Sequence, residues 1–370
     1  MKSVDVAIVG GGPAGLSCAI EFAQLGFTVT VIEPQAPIIE KPCGEGIMPL
    51  GVMHLRRLKV FRHLDPNNMS PFLGLCLINE QGVSVKSNFA KSYGLGCRRE
   101  NLSQALYARV REFENISLLP ALALGLTKTS EAIQIETEKG LVRARLAVGA
   151  DGLRSFIRRK AGLLGNETKN KRYGLRKHFR VKPWSQHVEV HFRPGIEAYI
   201  TPCGPWQTNV AFLWSKEELT LSKISFDAMI EYFPNIKAKI CGSEALSEQM
   251  AIGPLEQKCK SPIADGLALV GDASGYLDAI TGEGNSIAFA QSYALATIAS
   301  SALKALRGPL NKEQLQPYAK AHRQIVSSYY RNTKIMLWLR KRPLLMSMLI
   351  KAGSFCPQLF SLAIEGARTA

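Results

Sequence analysis

At 370 residues the chain is longer than one hydrophobic core commonly serves, so two closely packed domains are expected. Its composition, 46% hydrophobic and 8% aromatic without low-complexity tracts or a repeat period, excludes disorder and solenoids. The 46 Lys and Arg against 30 Asp and Glu leave a net charge of +16, which admits nucleic acid, anionic lipid or a polyanionic cofactor as partner.

No nucleic-acid-binding motif accompanies that charge and aromatic interleaving is thin, so nucleic acid is set aside. Eight cysteines lack both C-x-x-C pairs and metal spacing, so no metal site is expected. They read as reduced thiols of a cytoplasmic protein. No signal peptide is expected, because the first strand begins within a few residues of Met1.

In chain order, VDVAIVGGGPAGLSCAIEFAQLGFTVTVIEP (Val4 to Pro34) comes first. A short apolar run suited to a buried parallel strand enters Gly10-x-Gly12-x-x-Gly15. Apolar residues at helical spacing follow until Gly26, and a second strand, Thr28 to Ile32, finishes at Glu33. Gly10 suits the tight turn, and Gly12 lets a pyrophosphate approach the backbone. Gly15 lets helix and strand pack closely. The helix N-terminus offers unpaired N–H groups to phosphate, and Glu33 is placed for ribose hydroxyls.

Glu40 to Leu58, EKPCGEGIMPLGVMHLRRL, is a glycine-rich turn leading into an amphipathic helix. Its Cys43 is either an active-site thiol or a small buried cysteine. Leu73 to Gly96 reads as strands. Ile133 to Thr137 and Leu141 to Val148 read as a strand pair leading into Gly149-Ala-Asp151-Gly152-x-x-Ser155-x-x-Arg158. At such a strand-to-helix junction Asp151 and Ser155 suit the cap and first turn. The basic run KNKRYGLRKHFRVK (Lys169 to Lys182) alternates as the solvent face of a strand or a weak phosphate-steering patch would.

From 172 to 255 aromatic, alternating runs predict an antiparallel sheet, covered by a helix around Phe226 to Ile240. ALVGDASGYLDAITGEGNSIAFA (Ala268 to Ala290) then ends a strand in Gly271-Asp272 and opens a helix at Gly282-x-Gly284-Asn285. The C-terminal stretch from Thr333 is apolar and basic. Its apolar runs are broken at Arg340 to Pro343 and at Lys351, too short for a transmembrane helix. It either caps the second domain or forms an interfacial anchor, which would add membrane association to a cytoplasmic protein.

GxGxxG, Asp151-Gly152 and Gly271-Asp272, in that order, resemble the flavoprotein monooxygenase and geranylgeranyl reductase superfamily. The resemblance implies an α/β fold. A glutathione-reductase-type, Rossmann-like FAD domain (βαβ, parallel sheet plus β-meander) carries an inserted antiparallel-sheet substrate domain and a C-terminal helical region. The FAD domain is expected at 1–72, 97–171 and 256–310, the substrate domain at 73–96 and 172–255, and the C-terminal helices at 311–370. Pro13-Ala14 within the glycine motif fits FAD over NAD in such families.

The implied cofactor set is Gly10, Gly12, Pro13, Ala14, Gly15, Glu33, Arg99, Asp151, Gly271, Asp272, Gly282, Gly284 and Asn285. Asp272 would hold the ribityl hydroxyls, and Arg99, in an R-x-x-L pattern, is favoured over Arg98. The helix from Gly284 would aim its positive end at the pyrimidine edge of the ring. The lack of a second GxGxxG and of a C-x-x-x-x-C pair argues against a pyridine-nucleotide disulfide reductase, so NAD(P)H is expected as a transient electron donor unless another reductant replaces it.

The K-P-C-G-x-G segment is similar to that of geranylgeranyl reductases, which borders the flavin. EAYITPCGPW aligns with their Y-x-W-x-F-P only at Pro202, with Glu197, Tyr199 and Thr201 where Tyr, Trp and Phe would be, which argues against a prenyl-chain substrate. The halogenase G-W-x-W-x-I-P signature is missing. The favoured expectation is a monooxygenase of a small hydrophobic or aromatic molecule, with Cys43 and Tyr199 as catalytic candidates. Reduction of C=C bonds is the alternative, and a non-catalytic prenyl-binding carrier is the rival from another class.

Overall fold

A strand buried on both faces belongs in the middle of a parallel sheet, and the first apolar run lies there. β1 (Lys2–Val9) pairs in parallel with β2 (Val29–Ile32) on one side and β11 (Gly140–Gly149) on the other. The structure, a computed structural model, describes residues 2–35, 40–167, 171–219 and 224–355. The sheet extends through β8 (Ile116–Leu119), parallel to β2, and β18 (Leu267–Leu269), parallel to β11, with β17 (Ile263–Ala264) antiparallel at the edge. β9 (Ala123–Lys128) and β10 (Ile133–Thr137) add an antiparallel meander that runs into β11.

Alternation sorts β1 between two cores. Val6 and Ile8 meet α1 (Pro13–Gln24), α3 (Arg99–Val110) and α7 (Gly284–Ala305) through Leu16, Ile20, Leu106 and Phe289. Ala7 and Val9 turn to the meander side, with Ile135, Ala147 and Leu269.

The second sheet has seven strands. Its order is β16 (Met250–Ile252), β12 (Arg172–Phe179), β15 (Gln207–Ser215), β14 (Ile196–Gly204), β13 (His187–Arg193), β5 (Gly74–Ile78) and β6 (Ser84–Asn88). Every pairing is antiparallel except β5 with β13. Ile196, Ala198, Phe212 and Trp214 pack against α5 (Phe226–Ile230) and α6 (Pro234–Ile240). The single helix expected over 226–240 is therefore two. Pro234 lacks an N–H and its ring would clash with the carbonyl four residues back, so the helix restarts there.

Not all of Leu73 to Gly96 joins this sheet. β7 (Gly94–Cys97) instead forms a small sheet with β3 (Gly46–Ile47) and β4 (Met69–Phe72). The reason is space: a Cβ on Gly96 would lie 1.7 Å from the Pro202 carbonyl oxygen, and one on Gly94 2.1 Å from the Phe72 ring. Glycine allows the small sheet to wedge against β14. α2 (Pro49–Arg57) follows it.

α8 (Lys312–Arg340) starts with a capping box in which Asn311 and Gln314 exchange side-chain-to-backbone hydrogen bonds. α9 (Pro343–Phe355) lays Met346 and Ile350 on Val85, Val190 and Phe192 of the second sheet. Among the described residues no helix is long and apolar enough to cross a membrane. Residues 356–370 of the expected C-terminal helices lie outside the described residues.

Candidate functional site

The three glycine motifs meet, and the glycines do different work. A Cβ on Gly15 would fall 1.9 Å from the Gly10 carbonyl oxygen, and one on Gly10, itself at φ +112°, 2.4 Å from that of Ala150. Those two serve the packing of strand, turn and helix. Around the Cβ position of Gly12 the nearest atom is Nη2 of Arg99, at 3.6 Å. Gly12 is the N-cap of α1 and no side chain caps that end, so its N–H groups face a groove. Pro13 is the first helical residue, and Ala14 touches the third motif: a Cβ on Gly271 would lie 2.8 Å from that of Ala14.

Glu33 follows β2 directly. Its Oε2 accepts a hydrogen bond from Gly11 N at 2.8 Å, and Oε1 accepts one from Gln35 N at 3.1 Å. Beside it a cavity of about 200 Å³ is lined by Leu16, Val31, Tyr107, Leu118 and Pro120. Apolar walls with one carboxylate at the rim suit a purine and its ribose.

Arg99 opens α3. Its backbone N–H donates to Glu45 Oε1 at 2.9 Å, while its buried Nε has no hydrogen-bond partner. Arg98 is engaged elsewhere, donating to Gln207 Oε1 at 3.2 Å with Glu40 at 3.7 Å. The geometry thus turns Arg99 to the groove and Arg98 away from it.

The second motif supports the third. Asp151 Oδ1 accepts from Ser155 Oγ at 2.5 Å and Oδ2 from Ile157 N at 3.0 Å, and Ser155 caps α4 (Phe156–Lys160). Both carboxylate oxygens of Asp151 are therefore engaged by that helix. What Asp151 presents to Gly10 is its backbone. Arg158, nearly inaccessible, donates to the carbonyls of Asp272 at 3.1 Å and Ala273 at 2.9 Å. Sequence reasoning named Arg158 only as a motif member, yet it is the strut beneath the Gly271-Asp272 turn.

Among the described residues none donates a hydrogen bond to the Asp272 carboxylate. Burial pushes its pKa up, only partly offset by Arg99, Lys41 and Arg158. A carboxylate held this way favours hydroxyl donors as partners. Gly282, at φ +68°, meets only Met48 Cε, 3.1 Å from its Cβ position. Gly284 opens α7, Asn285 lies in its first turn, and no side-chain hydrogen bond caps this 22-residue helix. Arg99, close to Gly12 and acting on Asp272, thus stands between the cavity at Glu33 and the Gly271-Asp272 turn.

Below that turn, Ser274 Oγ lies 2.9 Å from Nε2 of His322, and burial lowers the His322 pKa to about 4. The unfolded chain takes up this proton near pH 6.5, the folded chain only near 4. The stability is complete above 6.5 and is lost as pH falls through about 4. Urea midpoints should fall between pH 7 and pH 5, with His322 contributing about 2 kcal/mol. The variant His322→Asn should show a correspondingly flatter acid limb.

The K-P-C-G-E-G loop carries a residue the sequence reading passed over. Glu45 is buried at φ +61°, a left-handed conformation rare outside glycine. Its Oε2 lies 2.6 Å from His178 Nε2 and accepts from Cys203 Sγ at 3.3 Å. Burial pushes this carboxyl up, but His178 and the Arg99 N–H reverse that and hold it below the ordinary range. Cys43 is at the same place, with burial raising its thiol and Arg99 pulling it back only in part. It is a neutral thiol there. Thr201 Oγ1 donates to the Gly44 carbonyl at 2.8 Å and Asn209 Nδ2 to that of Cys43 at 3.2 Å, which ties the loop to the second sheet.

Within the basic run the alternating positions of β12 are not a solvent face, although Lys171 and Arg180 at its ends are exposed. Arg172, Arg176 and His178 are buried toward the first domain, because the alternate positions Tyr173, Leu175 and Phe179 pack on the α5–α6 side. Each has a carboxylate partner: Arg176 meets Glu40, and His178 meets Glu45. Arg172 bonds Glu197 at 2.6 Å and Asp278 at 2.8 Å. Glu197 also accepts from Arg340 at the end of α8, which reaches Glu218 at 2.7 Å. Next to this network Tyr199 donates to the Ile280 carbonyl at 3.3 Å. With Leu153, Leu213, Leu255, Ile280, Tyr276 and Met336 it forms an apolar wall beside the α7 loop.

A dinucleotide groove ending against the apolar wall of a second, antiparallel domain defines a flavoprotein oxidoreductase. The family model described as FAD binding domain matches residues 3–333, and the chain belongs to that family. It is an FAD-dependent oxidoreductase. It is 24% identical to the ubiquinone hydroxylase UbiM of Neisseria meningitidis over 386 aligned residues, covering 97% of this chain and 83% of that protein. It is 25% identical to the digeranylgeranylglycerophospholipid reductase of Thermoplasma acidophilum, covering 94% and 89%. In fold it matches the crystal structure of a flavoprotein/dehydrogenase from Cytophaga hutchinsonii with a TM-score of 0.78 and 18% identity, covering 94% of this chain and 88% of that one.

Proposed function

We propose that the protein is an O2-using monooxygenase of a lipid-soluble, quinol-type aromatic ring, with NAD(P)H as transient electron donor. The observation that carries this reading is the apolar cluster of Leu153, Tyr199, Leu213, Leu255 and Ile280, packed where the second sheet meets the loop before α7. Bound FAD, once reduced, supplies two electrons, to O2 in an oxygenase or to a C=C bond in a reductase. The protein's part is to position the ring and exclude water.

The residues of the prenyl-reductase pattern are engaged by the protein itself. Glu197 is held between Arg172 and Arg340, Thr201 is tied to Gly44, and Tyr199 donates to Ile280. That supports an aromatic ring as the reacting group. In this reading the α1 N-terminus with Gly12, Pro13 and Ala14 takes the pyrophosphate beside Arg99, and Glu33 takes the ribose. Asp272 takes the ribityl hydroxyls, and Gly282, Gly284 and Asn285 face the ring. Gly10, Gly15, Asp151 and Gly271 shape the backbone around them. The domain limits of 1–72, 97–171 and 256–310 for the FAD domain remain part of the proposal. The basic, apolar C-terminal helices are where the protein would meet the phase that dissolves its substrate.

Reduction of a double bond is the second reading, favoured by Cys43 in the glycine-rich loop tied to the second sheet and by the relative named as a reductase. NAD(P)H oxidation driven by a reduced short-chain ubiquinone analogue, with and without isotopically labelled O2, separates the two. Label in the product supports the oxygenase. Turnover under strict anaerobiosis contradicts it.

Asp272 gives a prediction of opposite signs. Asp272→Asn removes a carboxylate that burial disfavours, so the apo protein should melt at a higher temperature. The same change should weaken FAD binding about tenfold through loss of charge-assisted hydrogen bonds. Apo melting curves and an FAD titration of one preparation check both.

A further inference from the structure

α9 is apolar on its inner and outer sides, with Lys351 its one exposed charge. Met346, Ile350 and Gly353 face inward, yet Leu344, Met348 and Phe355, spaced by four and seven residues along the outer side, are 82%, 66% and 86% exposed. Ile335 and Trp338 at the end of α8 are half-exposed and extend the surface. Large apolar side chains on the outer side as well as the inner one point to a second apolar partner for that outer side.

Charge identifies what. From Gln314 to Phe355 there are eight Lys and Arg and not one Asp or Glu. Lys334, Lys341, Arg342 and Lys351 are exposed around the apolar line. Arg342 stacks on the Trp338 ring at 4.0 Å and donates to the Trp338 carbonyl at 2.9 Å. An indole with a guanidinium over it is the pairing that sits at the level of lipid headgroups. A second protein would have to supply an acidic, apolar surface, and this face carries no carboxylate to pair with a copy of its own.

We infer that the outer side of α9 and the end of α8 dock on an anionic phospholipid surface. This deepens the reading of a lipid-soluble substrate and draws its purpose from it. Met336 and Leu337 of α8 pack on the apolar wall with Tyr276 and Ile280, so the lipid and the reaction site lie on opposite sides of one helical layer. Tyr329 bonds the Asp278 backbone from the same helix, at 2.8 Å. A ring dissolved in the bilayer would cross one layer of helix to reach the site.

The full chain with FAD bound is sedimented with vesicles of phosphatidylcholine, alone or with one part phosphatidylglycerol to two parts phosphatidylcholine. Binding to the anionic vesicles should exceed binding to neutral ones by at least about tenfold, and raised salt should release the protein. The double variant Leu344→Asp, Met348→Asp changes only exposed positions and should lose about tenfold or more. Lys341→Glu with Lys351→Glu should cost about as much.

Equal binding to both vesicles, or unchanged binding of the aspartate variant, overturns the inference. So does a wild-type dimer that the aspartate variant dissolves, since a second copy then covers the face. Binding that appears only after removal of the residues beyond Phe355 assigns the face to the chain's own end instead. Flavin absorbance of the same samples keeps the readings apart. Yellow protein left in the supernatant contradicts docking alone, and colourless protein on the vesicles contradicts the FAD reading alone.

Discussion

Gly12→Val should give a folded protein without flavin, whereas Gly15→Ala should not fold stably. At Gly15 even one methyl group lies 1.9 Å from the Gly10 carbonyl oxygen, backbone against backbone, with Ala150 behind it. No rotamer relieves that, and relaxation would have to part β1 from α1. A destabilisation of at least about 3 kcal/mol is expected. At Gly12 an added Cβ meets only the far end of Arg99, at 3.6 Å, so the fold loses little beyond about 1 kcal/mol of N-cap preference. The valine fills the space in which phosphate must approach N–H groups. Losing one or two charge-assisted hydrogen bonds should weaken FAD binding on the order of 100-fold. Far-UV dichroism melts and flavin content of the two variants check the contrast. A yellow Gly12→Val protein would remove that turn from the cofactor site.

Glu197→Ala should be the most damaging single change in the second domain. Glu197 is almost inaccessible and bonds both Arg172 and Arg340. Burial pushes its carboxyl up, but the two guanidinium groups hold it below the usual range, and Arg172 is raised in turn. Removing it leaves two buried cations with only Asp278 and Glu218, and breaking such a network costs about 3–5 kcal/mol. Because Arg340 ends α8, the C-terminal helices should loosen as well. Urea midpoints and protease susceptibility after Arg340 measure the two effects. Glu80→Ala, which removes an exposed partner of Arg193 at 3.2 Å, is the control that should change neither.

The first domain was legible because its signals are local. The strand, the glycine spacing and the helix lie within one short stretch, although the groups that crowd Gly10 come from Ala150, and Glu33 follows its strand directly. The second domain was less so. The alternation of Arg172, Arg176 and His178 was visible, but the sequence contains nothing to say which face is wet. That was decided by Phe226 and Phe233, which claim the other side of the sheet. Glu45 and His178 meet only when a loop of the first domain reaches a strand more than a hundred residues later. The one signal for Glu45 was its place among glycines in a turn, where a side chain at φ +61° must earn its strain through contacts. The split at Pro234 was foreseeable from proline chemistry alone.

The measurement that bears most directly on the central claim is the flavin released by the purified, denatured wild-type protein, separated and quantified against protein. The account predicts one FAD per chain, either as purified or after incubation with FAD. A colourless protein that takes up none would contradict it.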